Sequence, residues 1–116
     1  MARKAKVDYD RENDILYVYS GESVKDSLEI DNFVLDFSSE NKIVGVEIFD
    51  ASDILSGLSL MKISKRMLSE IEDATISFKQ SKDLFFVVLG LMLGVELEKR
   101  EIPIQVPAPA AAVSMR

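Results

Sequence analysis

Val7-Asp8-Tyr9-Asp10-Arg11-Glu12-Asn13-Asp14-Ile15-Leu16-Tyr17-Val18-Tyr19 is the stretch whose reading decides the fold. Two runs of Val, Ile, Leu and Tyr flank the polar tetrad Asp10 to Asn13. Val, Ile and Tyr suit a pleated, half-buried surface. Asp and Asn suit the tetrad because their side chains bond nearby backbone and Asn tolerates a positive φ. The stretch predicts a β-hairpin that starts a sheet, with Asp10 and Asp14 at the two ends of the turn. On that reading Asp14→Ala removes a local side-chain-to-backbone bond and costs about 0.5–2 kcal/mol.

Outward from the hairpin, Ser20-Gly21-Glu22-Ser23 is a turn cluster. Val24 to Ile30 alternates, Asp31-Asn32 is the next turn, and Phe33 to Phe37 alternates with Phe33, Leu35 and Phe37 inward. Ser38 to Lys42 reads as a hairpin loop. Ile43 to Phe49 is a further strand, and Gly45 inside it suggests a bulge or a close backbone approach. Short turns between these strands predict an antiparallel meander of about five strands, because parallel pairing needs long crossovers.

The period changes at Asp50. Asp50-Ala51-Ser52-Asp53 has the composition of a helix start, with Asp50 as the cap and acids in the first turn. Gly57 is the expected end of that short turn. From Ser64 to Glu72 a second helix places Ile63, Met67, Leu68 and Ile71 on one face. Strand signals return at Ala74 to Lys79, Leu84 to Leu91 and Glu101 to Val106. Pro103 cannot donate to a ladder, so the last strand belongs at an edge or carries a bulge. The fold class is α+β: the meander, a short helical segment, then about three more antiparallel strands. Residues 1–106 form one domain, and the Pro/Ala-rich stretch 107–116 is expected to be a mobile tail.

A chain of 116 residues is long enough for one domain with a real core. Its net charge is −6. That sign repels phosphate backbones, so nucleic acid is not an expected partner, whereas a basic protein is. Cys and His are both absent. Disulfides, thiolate metal sites and every His-based acid–base scheme are therefore excluded. The N-terminal residues lack the apolar run of a signal peptide. Leu84 to Val95 is shorter than the roughly 17–25 residues of a spanning helix. These features place the chain in the cytoplasm with no membrane partner. The scarcity of Asn and Gln fits a thermophile source.

Candidate chemistry rests on carboxylates. Asp10, Asp14, Glu47 and Asp50 could bind a divalent cation and support hydrolysis or small-ligand binding. The spacing Asp10, Glu12, Asp14 is that of an EF-hand start, but the central Gly and distal Glu of such a loop are missing. Turn and cap roles are the expectation for these acids, with no metal, no cofactor and no catalytic residue assigned. Tyr9, Tyr17 and Tyr19 sit together on the hairpin as cross-strand packing. Arg3, Lys4 and Lys6 read as a solvated basic arm, and Ser52 has no basic partner to activate it.

Leu84, Phe85, Phe86, Val87, Val88, Leu89 and Leu91 do not alternate with polar residues. Both faces of that strand must therefore avoid water. One can pack on the helix stripe. The other is expected to form an interface, and a C₂ homodimer is the commonest closure. The alternative is a sandwich in which the N-terminal sheet folds over it.

Two separated blocks carry a family resemblance: Tyr9-Asp10, Asp14 and Leu16-Tyr17-Val18, then Gly45-Val46-Glu47-Ile48-Phe49-Asp50-Ala51-Ser52. Over roughly Lys6 to Ser52 the chain resembles the small prokaryotic domain of unknown function 2283, and its longer form resembles archaeal members. Phe49 stands where an aliphatic residue is more usual in that family. The resemblance implies no catalytic residues. Some members are encoded beside small toxin-like proteins, and the resemblance thereby implies a partner-binding or antitoxin-like role. The expected function is a non-enzymatic protein-interaction module for a basic protein partner. Its alternatives are a carboxylate-metal hydrolase or small-ligand-binding domain, and a purely structural homo-oligomer.

Overall fold

One strand joins the two halves of the molecule in the computed structural model, which describes residues 3–93 and 98–106. β1 (Arg3–Asp10) alternates half-buried and exposed along its whole length, with Arg3, Ala5, Val7 and Tyr9 inward. Its Lys6 to Asp10 portion pairs with β2 (Ile15–Tyr19), and its Arg3 to Ala5 portion pairs with β6 (Ala74–Ser81). The basic arm is thus a working strand rather than a solvated terminus. The Arg3 guanidinium lies 2.6 Å from Glu22 and donates to the Ile43 carbonyl at 2.9 Å.

The remaining strands are β3 (Asp26–Ile30), β4 (Phe33–Phe37), β5 (Ile43–Phe49), β7 (Leu84–Leu93) and β8 (Glu98–Val106). Every pairing is antiparallel, and the order is β3-β4-β5-β2-β1-β6-β7-β8. The antiparallel sheet, the helical segment after five strands and the three further strands all follow the sequence reading. The order within the first five is the new element: β5 returns beside β2 and leaves β3 at the edge. Composition explains this choice. β5 is buried along almost its whole length, whereas β3 carries Asp26, Ser27 and Glu29 and is exposed. A polar, charged strand suits an edge. At the other edge β8 places Pro103 opposite Val88.

α1 (Ala51–Ser59) and α2 (Lys65–Ser69) cover one face of the sheet. Ala51, Leu55, Ile63 and Leu68 join Leu16, Val18, Ile48, Leu89 and Leu91 in a single buried cluster. β7 is split by its pleat. Val87, Leu89, Leu91 and Leu93 face this core, while Phe86, Val88 and Met92 face the opposite side. Val87, Leu89 and Leu91 are therefore buried in the chain's own core. Phe85 stacks on Phe78 at 5.9 Å, and Leu84 is exposed. Gly94, Val95 and the tail 107–116 lie outside the described residues. Among the described residues no helix is long and apolar enough to cross a membrane.

Both helix ends depart from expectation. Gly57 does not terminate α1, which runs on to Ser59 and closes at Leu60 in the left-handed region with φ 58°. The Ser56 and Ser59 hydroxyls donate to the carbonyls of Ser52 and Leu55, which supports the extra turn. α2 is capped by Ser64, whose hydroxyl accepts from the Met67 amide at 3.2 Å, but it ends at Ser69, short of the expected Glu72. A Cβ at Gly57 would meet nothing within 4 Å. Gly57→Ala is therefore expected to stabilise the domain by about 0.5–1 kcal/mol, measured as a raised denaturant midpoint at unchanged slope.

Candidate functional site

Asp14 ties the first hairpin to α1. The turn brings it to φ 56°, a region that short polar side chains tolerate, and leaves it only 8% exposed. Tyr9 Oη donates to Asp14 Oδ1 at 2.7 Å. Ser52 donates twice: its amide to Oδ1 at 3.1 Å and its hydroxyl to Oδ2 at 2.7 Å. The Ala51 amide donates to the Asp14 carbonyl at 2.9 Å. The first amides of α1 are thus satisfied by a residue 38 positions upstream of Ser52. Asp14 supplies the negative charge that a helix N-terminus favours. Asp50, at the expected cap position, has φ 52° and makes no side-chain cap bond. Its carboxylate accepts from Asn32 Nδ2 at 3.3 Å instead.

The electrostatics follow from these contacts. Burial alone would raise the Asp14 pKa, but the bonds from Tyr9 and Ser52 outweigh it and hold the carboxyl below its ordinary value. Tyr9 is pushed up, first by burial and then by its bond to Asp14. Asp10 is lowered by the Asn13 side chain and amide, which donate at 2.8 and 3.1 Å. An ionised carboxylate saturated with donors is a poor general base, and a phenol with a raised pKa stays protonated at neutral pH. Through these bonds the Asp14 carboxylate joins β1 to the start of α1.

A second cluster lies on the opposite face of the sheet. Tyr17 Oη donates to Asp36 Oδ2 at 2.6 Å, and Ser27 Oγ donates to Asp36 Oδ1 at 2.6 Å. Tyr19 stacks on Tyr17 with ring centroids 4.6 Å apart. Burial and the Asp36 carboxylate push the Tyr17 pKa up. Gly45 lies opposite both Tyr19 and Asp36 and makes room for the pair. A Cβ there would fall 2.8 Å from Tyr17 Oη and 2.9 Å from Asp36 Oδ2. This is the close approach that the interior glycine implied. Gly45→Ala is expected to destabilise by about 1–3 kcal/mol. The same change should cost less in a Tyr17→Phe background, where part of the obstruction is gone; urea melts of the double-mutant cycle measure the difference.

The proposed metal quartet is not assembled. Asp10 is in the exposed turn, Asp14 is occupied by Tyr9 and Ser52, and Asp50 faces Asn32. Glu47 is opposite Tyr17, on the other side of the sheet from the core. Among the described residues no group of three or more carboxylates is placed to hold a metal ion. The tyrosines also part: Tyr9 packs against the core, Tyr17 and Tyr19 on the far face. Ser27, Asp36 and the role of Ser52 were not found from sequence, because each partner is distant along the chain. The one sequence signal was the pair of separated blocks, which together contain Tyr9, Asp14, Tyr17, Gly45 and Ser52.

The outward side of α1 is the other distinct surface. Two open depressions flank it and share Asp53 and Gly57. One, of about 540 Å³, includes Leu60, Met61 and Lys62. The other, of about 620 Å³, lies between α1 and the Asp31-Asn32 turn. Leu60 is 93% exposed.

Comparison with known proteins covers most of the chain. The family described as "Protein of unknown function (DUF2283)" matches residues 6–52. An uncharacterized protein of Methanocaldococcus jannaschii is 43% identical over 101 residues, which is 85% of this chain and 80% of that protein. A Methanosarcina mazei protein provisionally named hypoxanthine phosphoribosyltransferase is 39% identical over 49 residues, or 41% of this chain and 40% of that protein. No solved structure matches the chain.

Proposed function

The chain belongs to the DUF2283 family of proteins of unknown function, and from that premise we propose that it is a non-enzymatic protein-interaction module for a basic protein partner. Leu60 carries this reading. It closes α1 in the left-handed region, where glycine is the favoured residue, and it stands 93% exposed. An L-residue in that conformation costs about 1–2 kcal/mol. Exposure of its side chain forgoes burial as well. That strained, exposed apolar side chain, beside the depression it lines, supports a contact surface there. The net charge of −6 makes a basic partner the complementary one. An antitoxin-like role is one case of such binding. The half-buried Phe86 and Met92 of the outer row support self-association as a homodimer on a different face.

The test is capture of the tagged protein from its native host, with mass spectrometry of what stays bound. A stoichiometric basic partner is the expected result. Leu60→Gly is expected to stabilise the fold by about 1 kcal/mol and to lose that partner. Capture of nothing but further copies of the chain overturns the partner reading.

A further inference from the structure

We infer that the depression between α1 and the β3–β4 turn receives a segment of the partner that presents a large apolar side chain flanked by Lys or Arg. This deepens the reading above and rests on it. The floor is apolar: Phe33 and Ile54 are half-buried, and Leu58 is 40% exposed. The rim is acidic, with Asp31 on the turn and Asp53 in the first turn of α1. Neither carboxylate is ion-paired among the described residues.

Gly57 keeps this surface open. A glycine inside a helix costs about 0.5–1 kcal/mol relative to alanine. Here no packing offsets that cost, since a Cβ would touch nothing within 4 Å. Its absence instead lets another chain approach the α1 backbone closely. An apolar side chain placed on Phe33, Ile54 and Leu58 leaves water. Cations beside it meet Asp31 and Asp53 against a low-dielectric wall, where charge pairs strengthen. The same rim repels phosphate backbones and the anionic surface of a cytoplasmic membrane leaflet. The occupant that fits is a protein segment, neither nucleic acid nor lipid.

The probe is a synthetic amphipathic helical peptide with leucines at i and i+4 and lysines on either side, titrated into the full chain and followed by amide NMR shifts. Shifts are expected at Asp31, Phe33, Asp53, Ile54 and Leu58, with affinity falling as salt rises. Gly57→Leu, which fills open space, and Asp53→Lys are each expected to weaken binding at least about tenfold, the equivalent of about 1.4 kcal/mol. A control peptide with glutamates in place of the lysines should not bind. Absence of binding, shifts confined to other surfaces, or unchanged affinity in both variants overturns the assignment. The host capture separates the two readings. If Gly57→Leu retains the basic partner that wild type captures, this groove is wrong and the interaction module stands. If wild type captures none, the broader reading fails.

Discussion

Val87→Asp is expected to unfold the domain, whereas Phe86→Asp is expected to leave it folded. The two residues are neighbours on β7, yet their side chains point to opposite faces. Val87 is fully buried between Phe78 and Ile104 in register and belongs to the central cluster. An aspartate there would be a buried charge among apolar side chains. The loss is on the order of 4–5 kcal/mol or more, comparable with the whole stability of a small domain. Phe86 is half-buried on the outer face, in register with Lys79 on one side and Gln105 on the other. An aspartate there keeps water and gains a nearby cation. Circular dichroism separates the two outcomes. Light scattering then reads the proposed dimer: wild type should have the mass of two chains and Phe86→Asp the mass of one. A single-chain mass for concentrated wild type would end the dimer proposal.

Asp14→Ala should destabilise by about 2–4 kcal/mol, more than a hairpin turn alone would suggest. A lost helix cap costs about 0.5–2 kcal/mol, and each buried donor left without a partner costs about 1–3. Removal of this carboxylate leaves both the Ser52 amide and the Tyr9 hydroxyl without their acceptor. The pH dependence gives an independent reading. Asp14 has a folded pKa below its ordinary value of about 3.9. Its stabilisation is therefore fully present above about pH 4 and is lost as pH falls through the depressed folded value. Asp14→Ala should flatten that part of the acid unfolding curve. Tyr9 has the opposite sense at high pH. Its folded pKa is raised, so stability is retained below the unfolded value of about 10 and falls as pH rises beyond it. Tyr9→Phe should reduce that alkaline slope. Urea melts across the pH range measure both effects, and an unchanged acid slope in Asp14→Ala would refute the capping role.

The strands were legible in the sequence wherever one face was wet. Phe33 to Phe37 alternates in sequence and its sidedness holds in β4, where Phe33, Leu35 and Phe37 join the core; the outward Asp36 is nevertheless buried, beneath Tyr17 and Ser27. Turns were legible because they needed Asp or Asn at positive φ, as at Asp14, Asp31 and Asn41. Gly45 signalled a close approach because a side chain cannot fit there.

The order of the strands was not legible. Periodicity states which face a residue takes, but not which strand lies beside it. The choice of β5 over β3 as neighbour to β2 came from competition for burial across the whole sheet. Arg3 to Lys6 carried charge and so suggested a solvated arm, yet its backbone completes the joint to β6. Asp50 had the residue type of a cap and lost the role to Asp14, whose distance along the chain hid it. Local chemistry fixes backbone preference and sidedness through bonds within a few residues. Which carboxylate reaches which helix end depends on long-range packing, and only the folded chain decides it.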